Sequence, residues 1–237
     1  MENRKIVVVT GAGHGLGLAI SQLLISHEHT VLMISRNRKN LKAAIAGTKA
    51  GDKSARPFVC DVSDQSAVKA TAKEISAQYE SIDVLINNVG IPAPRTFAET
   101  GFEDWNTVIA TNLSAAFYVT KSMWKLLAAG EGGYVINISG TAGKRGGGSP
   151  GYASSKFGLT GLTRSIAASG KNENIRATAL YPGSMDTGWR GAPIGEKPAE
   201  QTMDPRKVAE LIEHLILTPR EFVLNEAVLN PIADPFL

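Results

Sequence analysis

Short runs of apolar, β-branched residues recur along the chain and alternate with longer stretches whose apolar positions repeat at helical spacing. The runs are KIVVVT (5 to 10), TVLMIS (30 to 35), RPFVC (56 to 60), IDVLIN (82 to 87), GYVINIS (133 to 139), IRATALY (175 to 181) and EAVLN (226 to 230), which makes seven expected strands. Several are apolar at nearly every position, as strands covered on both faces of a parallel sheet must be. Helical patterns fill the gaps. LGLAISQLLISH (16 to 27), SDQSAVKATAKEISAQY (63 to 79), WNTVIATNLSAAFYVTKSMWKLLAAG (105 to 130) and DPRKVAELIEHLIL (204 to 217) are the clearest, the last opened by Asp204 as N-cap and Pro205 in the first turn. Strand, helix, strand, repeated, specifies an α/β fold: one doubly wound domain over residues 1 to 237, with helices on both faces of its sheet. The longest irregular stretch, DTGWRGAPIGEKPAEQTM from 186 to 203, is rich in Gly and Pro and follows the carboxyl end of a strand. That is the place for a short substrate lid.

Composition narrows the class. With 237 residues, 43% of them apolar and 20% charged, the chain can bury a sizeable core. The 25 basic and 22 acidic residues are dispersed, for a net charge of +3, and form no basic run of the kind that grips nucleic acid or a membrane surface. No apolar run approaches the ~18 residues of a membrane span, and MENRKIVVVTGAG carries no secretory signal pattern. A lone cysteine, Cys60, excludes an internal disulfide and fits a reducing compartment, so the expected location is the cytoplasm. His27 and His29 flank Glu28 in a turn that reads as a solvated corner, and His214 has no partner at ligand spacing. No metal site is expected.

The first strand runs into TGAGHGLG (10 to 17), with glycines at 11, 13, 15 and 17, and a helix pattern begins there. In a strand-to-helix turn, such glycines let the backbone approach a pyrophosphate, while the helix N-terminus offers unpaired N–H groups and a positive dipole end. A dinucleotide is the expected ligand. The second strand ends in ISRNRK, with Ser35 where a carboxylate would hold a ribose 2′-OH, followed by Arg36. Arginine pairs with a 2′-phosphate, and His14 inside the glycine turn can add a donor, so NADP(H) is favoured and NAD(H) stays open.

YASSK (152 to 156) sets a phenol and an ammonium four residues apart, hence on one helical face. A phenol of pKa about 10 shuttles protons poorly at neutral pH unless a cation stabilises its charged form. Lys156 beside Tyr152 does that, and it can also reach a bound ribose. The pair suits protonation of a carbonyl being reduced, or deprotonation of an alcohol being oxidised.

Taken together, TGAGHGLG, CDVSD around Asp61, NNVG (87 to 90), Asn112 in a long helix, YASSK and YPGSMDT (181 to 187) resemble the short-chain dehydrogenase/reductase family, in order and over nearly the whole chain. The resemblance implies a Rossmann-type, seven-stranded parallel sheet with helices on both faces and a homodimer or homotetramer. It implies that the turn carrying Gly11, His14, Gly15, Leu16 and Gly17 holds the pyrophosphate, that Ser35 and Arg36 meet the adenosine ribose, and that Asp61, Val62, Asn88 and Gly90 contact the adenosine half and its neighbourhood. Tyr152 would be the proton donor or acceptor and Lys156 would hold the nicotinamide ribose. Asn112 would support a relay water, and Pro182, Gly183 and Thr187 would shape the nicotinamide pocket. Val89 stands where the family has a smaller alanine. The serine that polarises the substrate carbonyl has two placements: laid without gaps, its position falls on Gly140, whereas counting 13 residues back from Tyr152 reaches Ser139. The segment GKRGGGSPGY (143 to 152) is one residue shorter than the family's usual length. Ser139 is the expected residue, since a glycine has no hydroxyl and only Thr141 and Ser149 offer others nearby.

The expected activity is interconversion of a carbonyl and a secondary alcohol on a small organic substrate, of 3-oxoacyl or 3-hydroxy acid type. Trp189, Arg190 and Arg95 lie on loops bordering the pocket, where an acidic substrate group and plain solvation are both open. The rival reading is a catalytically silent dinucleotide-binding protein; a scaffold built on the long apolar helices is another, although their surplus apolar surface also suits a subunit interface.

Overall fold

The computed structural model describes residues 4–48, 54–146, 149–191 and 193–234, with the side chain of Arg190 outside that set. Seven strands form one parallel sheet: β1 (Ile6–Thr10), β2 (Thr30–Ser35), β3 (Ala55–Val59), β4 (Val84–Asn87), β5 (Tyr134–Ile138), β6 (Arg176–Pro182) and β7 (Glu226–Leu229). Their order is β3-β2-β1-β4-β5-β6-β7. Each lies within two residues of the span expected from sequence. The helices are α1 (Gly15–Ser26), α2 (Arg38–Ala46), α3 (Gln65–Ser76), α4 (Phe102–Ile109), α5 (Ala115–Ala128), α6 (Ala142–Arg145), α7 (Pro150–Gly170) and α8 (Pro205–Leu217).

Strand side chains alternate between two cores, which is why both faces need helices. Val7 and Val9 pack with Leu16, Ile20 and Leu24 of α1 and with Val208 and Ile212 of α8. Val8 points the other way, toward Val68 and Ile75 of α3 and Val119 and Met123 of α5. The chain moves outward from β1 through β2 to β3, then returns to pair β4 on the other side of β1. At that reversal the loops diverge and leave a crevice beyond the carboxyl ends of β1 and β4.

Caps set the helix starts. Asp64 accepts from the N–H groups of Ser66 and Ala67, at 2.8 and 3.3 Å, and Asp204 from that of Arg206 at 2.8 Å. Ser149 accepts from the Tyr152 N–H at 3.4 Å, with Pro150 in the first turn. The N-cap of α1 is His14, whose side chain makes no capping bond. The first N–H groups of that helix are left to a ligand or solvent.

Two expectations change. The stretch from 105 to 130 is not one helix: α4 passes into a π-helical turn, residues Ala110–Ser114, before α5 begins. An inserted residue of this kind rotates the side chains that follow it, and Asn112 lies within the turn. The corner at His27 and His29 is only partly solvated. His29 is buried, its Nδ1 accepts from the Lys5 N–H at 3.0 Å, and burial pushes its pKa down; His27 Nδ1 lies 2.6 Å from Glu213 Oε1. Among the described residues no helix is long and apolar enough to cross a membrane.

Candidate active site

A cleft of about 550 Å³ opens at the carboxyl edge of the sheet, and it gathers most of the residues singled out from sequence. Its floor begins at the turn between β1 and α1, where Gly11, His14, Gly15 and Leu16 line it. Gly17 does not line the cleft. A Cβ there would stand 2.3 Å from the Gly11 carbonyl oxygen and 2.6 Å from Asn88 Nδ2. Gly17 therefore lets α1 close on the strand end, which brings the helix N-terminus flush with the cleft. The turn fits a pyrophosphate for this reason.

Ser35 and Arg36 continue the wall at the end of β2, and Asp61 and Val62 at the end of β3. The Asp61 carboxyl is held below the usual carboxylate range, first by the Ser63 hydroxyl bonded at 2.6 Å and then by the Ser63 N–H and the nearby Arg36 charge. At the end of β4, Asn88 donates from Nδ2 to the Thr10 carbonyl at 3.1 Å, while its own N–H donates to Thr10 Oγ1 at 3.0 Å. This pair ties β1 to β4 at the switch point. Asn88 and Gly90 line the cleft beyond it.

Asn112 lies behind the wall instead of on it. Its Oδ1 accepts from the Ile91 N–H at 2.8 Å and its Nδ2 donates to the Ile91 carbonyl at 3.0 Å, gripping the chain just after NNVG. Nδ2 also reaches Ser155 Oγ at 3.3 Å, and Ser155 donates to the Tyr152 carbonyl at 2.7 Å. The π turn thus connects the β4 loop to α7.

Tyr152 and Lys156 face the cleft from α7. Lys156 is 3% exposed, and its Nζ donates to the Ile138 carbonyl at 3.0 Å and stands 5.6 Å from the centre of the Tyr152 ring. Burial lowers its pKa from 10.5 to about 8. An ammonium uses one N–H on Ile138 and has two more to offer. A Cβ on Gly90 would come within 3.5 Å of Nζ, so that glycine leaves the approach to the ammonium clear.

The hydroxyl of Ser139 donates to the Lys156 carbonyl at 3.0 Å. Ser139 lines the cleft beside Tyr152 and Lys156. Gly140, the next residue, does not line the cleft, and a Cβ built there would lie 3.4 Å from Tyr152 Oη. Thr141 and Ser149 are absent from the lining, and Ser149 serves as the cap of α7.

The far wall comes from the segment after β6. Pro182, Gly183 and Thr187 line the cleft with Ser184 and Met185. The segment is stapled at its base by Met203 N–H to the Ser184 carbonyl (2.9 Å) and Asp186 N–H to the Met203 carbonyl (3.0 Å), and the Asp186 carboxylate accepts from the Gly195 N–H at 2.9 Å. Trp189 folds inward over the site, its ring centre 6.3 Å from that of Tyr152. Arg95 and Lys197 border the mouth and are exposed. The expected Arg190 contribution falls on a side chain outside the described set.

The sequence reading missed a buried network under the site. Asn87 Nδ2 donates to Thr120 Oγ1 at 3.0 Å and to Asn137 Oδ1 at 2.8 Å, and Asn137 Nδ2 donates to Thr163 Oγ1 at 2.8 Å. It binds α5 and α7 to adjacent strands. The signal was present, since an asparagine interrupts both VLIN and YVINI at positions that pair in register.

Comparison with known proteins agrees with this geometry. The profile of the family described as short chain dehydrogenase matches residues 5–194. The chain is 35% identical over 187 residues to a 3beta-hydroxysteroid dehydrogenase of Mediterraneibacter gnavus, covering 78% of this chain and 67% of that one. It is 28% identical over 238 residues to a 3-oxoacyl-[acyl-carrier-protein] reductase of Thermotoga maritima, covering 94% and 95%. A metagenomic short-chain oxidoreductase in complex with NADP superposes with a TM-score of 0.81 at 27% identity, over 96% of each chain. With the glycine turn, the switch-point crevice and the Tyr152–Lys156 face all in one cleft, this chain belongs to the short-chain dehydrogenase family, as an oxidoreductase that works with a dinucleotide cofactor.

Proposed function

We propose that this protein is an NADP(H)-dependent oxidoreductase that interconverts a carbonyl and a secondary alcohol on a small organic substrate. The observation that carries this reading is the buried Lys156 ammonium beside the Tyr152 phenol, at the edge of a cleft whose other end holds Arg36. The bound dinucleotide supplies or accepts the hydride. Tyr152 gives its proton to the carbonyl oxygen as charge develops there. Lys156 favours the phenolate left behind, and its two remaining N–H groups are placed to hold the nicotinamide ribose. Asn112 positions this apparatus by fixing the Ile91 backbone to α7, in addition to the water-supporting role the resemblance implies. Ser35 and Arg36 favour a 2′-phosphate, because the end of β2 presents a guanidinium and no carboxylate. The carriers named for the relatives, a 3-oxoacyl group and a 3-hydroxysteroid, support a 3-oxo or 3-hydroxy position as the reacting centre.

The exposed aromatic residues Phe102, Trp105, Phe117 and Phe157 on α4, α5 and α7 support a homodimer or homotetramer. The lone Cys60 is in keeping with a cytoplasmic location.

The test is oxidation of NADPH and NADH by the purified protein against 3-oxoacyl thioesters, 3-oxo acids, 3-oxosteroids and simple ketones. Tyr152→Phe should lose turnover by roughly 10²- to 10⁴-fold while still binding NADPH. Bound NADPH with no Tyr152-dependent turnover would make the protein a silent dinucleotide binder.

A further inference from the structure

We propose, on the reading of Lys156 as the group that holds the nicotinamide ribose, that Trp189 gates the cofactor: its indole and the nicotinamide end of the dinucleotide contend for one place. Gly90 leaves the approach to the Lys156 ammonium clear of a side chain of its own, and the indole enters that approach from the opposite wall. A Cβ built on Gly90 would stand 3.5 Å from Lys156 Nζ and 3.8 Å from Trp189 Cη2. The ammonium and the tip of the indole thus lie within 4 Å of one point. A single carbon at that point is already in van der Waals contact with the indole. A ribose ring, several atoms across, does not fit against Nζ there unless the indole moves. The indole also stands beside Tyr152, 6.3 Å from ring centre to ring centre, so it lies over both members of the pair.

The chain around Trp189 is built to move at its tip and to stay at its base. Two residues earlier, Thr187 rests on the glycine turn: a Cβ built on Gly15 would stand 3.3 Å from the Thr187 Cβ. The segment beyond β6 therefore crosses the cleft from the glycine turn to Gly90. Its base is fixed by the backbone bonds that join Ser184 and Asp186 to Met203. The tip, Trp189–Gly191, is a short 3₁₀ turn closed on itself by the Gly191 N–H and the Gly188 carbonyl at 3.0 Å. Gly188 and Gly191 flank the indole at φ +70 and +73, and a Cβ on Gly191 would meet nothing within 4 Å. Glycine at Gly191 thus serves the backbone and not close packing, and a glycine on each side lets the turn swing. Trp189 is 37% exposed, so the swing breaks into no core. The adenosine end of the cleft lies apart from this contest, at Ser35, Arg36 and Asp61. The dinucleotide lands there first, and its nicotinamide half follows when the indole stands aside. If that happens in about a tenth to a third of molecules, the apparent Kd of the whole cofactor is raised about 3- to 10-fold. A ligand without the nicotinamide half bears none of this cost.

The test titrates the full chain by calorimetry with NADP⁺ and with adenosine 2′,5′-bisphosphate, which carries the adenosine end alone. Trp189→Ala should bind NADP⁺ about 3- to 10-fold tighter than wild type and the bisphosphate no differently, with Trp189→Phe, a smaller ring, between the two. In stopped-flow tryptophan fluorescence, wild type should show a second phase with NADP⁺ whose rate levels off as ligand rises, and no such phase with the bisphosphate. Unchanged or weaker NADP⁺ binding in Trp189→Ala would overturn the gate and leave the indole a fixed wall of the cleft. An equal gain for both ligands would overturn it too, as a general loosening of the cleft. Lys156→Met separates this from the reading beneath it: that variant should lose affinity for NADP⁺ and keep it for the bisphosphate. If Lys156→Met binds both as wild type does, the ribose reading fails, and this inference with it.

Discussion

The ammonium of Lys156 donates to the carbonyl of Ile138, the last residue of β5, across 3.0 Å. That bond holds α7 against the carboxyl edge of the sheet and sets the charge beside Tyr152. It also keeps an ammonium almost wholly out of water, and stability reflects this.

Burial lowers the Lys156 pKa from 10.5 to about 8, so the folded state disfavours the charged form. Below pH 8 the full penalty, about 3 kcal/mol for a shift of this size, opposes folding. Between pH 8 and 10.5 the unfolded chain holds the proton more often than the folded one, so this group makes stability rise with pH. Lys156→Met should be more stable than wild type at pH 7 by about 2 kcal/mol, after loss of the bond to Ile138. That advantage should shrink toward pH 10 in urea unfolding. An equal advantage at both pH values would assign the effect to packing alone.

Arg36 should decide between cofactors. Arg36→Ala removes a charge-assisted contact worth about 1.5 to 3 kcal/mol with a 2′-phosphate. Its Kd for NADPH should rise by about 10- to 100-fold while that for NADH stays near wild type. Parallel loss for both nucleotides in a fluorescence titration would show that the guanidinium does not read the 2′ position.

Gly17→Ala should damage both stability and cofactor affinity, because its Cβ would meet the Gly11 carbonyl oxygen at 2.3 Å, a backbone atom that cannot swing aside. Destabilisation of about 1 to 3 kcal/mol is expected in thermal unfolding, with weaker NADPH binding. Gly161→Ala is the contrast. A Cβ at that site in α7 meets nothing within 4 Å, so the chain should gain about 1 kcal/mol there.

Asn137→Ala should destabilise the protein by about 3 kcal/mol, as it strips Thr163 and Asn87 of partners in a buried network. The measurement is urea unfolding. A change under about 0.5 kcal/mol would mean that Asn87 and Thr163 find other partners.

Much of this was legible in the chain. Strand positions follow from continuous apolar, β-branched runs, a local property, so seven apolar runs became seven strands with small boundary shifts. The glycine turn, Arg36 and the YASSK face were readable for the same reason, since each depends on residues a few positions apart. Asn112 was legible as a residue and misread as a setting: the pattern from 105 to 130 has helical spacing throughout, and the π turn arises only where Asn112 meets the Ile91 backbone. His29 looked solvated because its cover comes from elsewhere in the fold, through the Lys5 backbone and Glu213.

The sequence by itself determined the alternation of strands and helices, the glycine turn and the pairing of Tyr152 with Lys156 on one helical face, all through spacings enforced by the geometry of a single helix or strand. Only the tertiary structure set the surroundings of Ser139 and Gly140. Those two residues differ by one step along an extended chain, and one step reverses the side of the backbone from which a side chain projects. The Ser139 N–H donates to the Leu180 carbonyl of β6 at 2.7 Å and Gly140 takes a positive φ, which leaves the Ser139 hydroxyl on the α7 backbone and Gly140 close to the phenol.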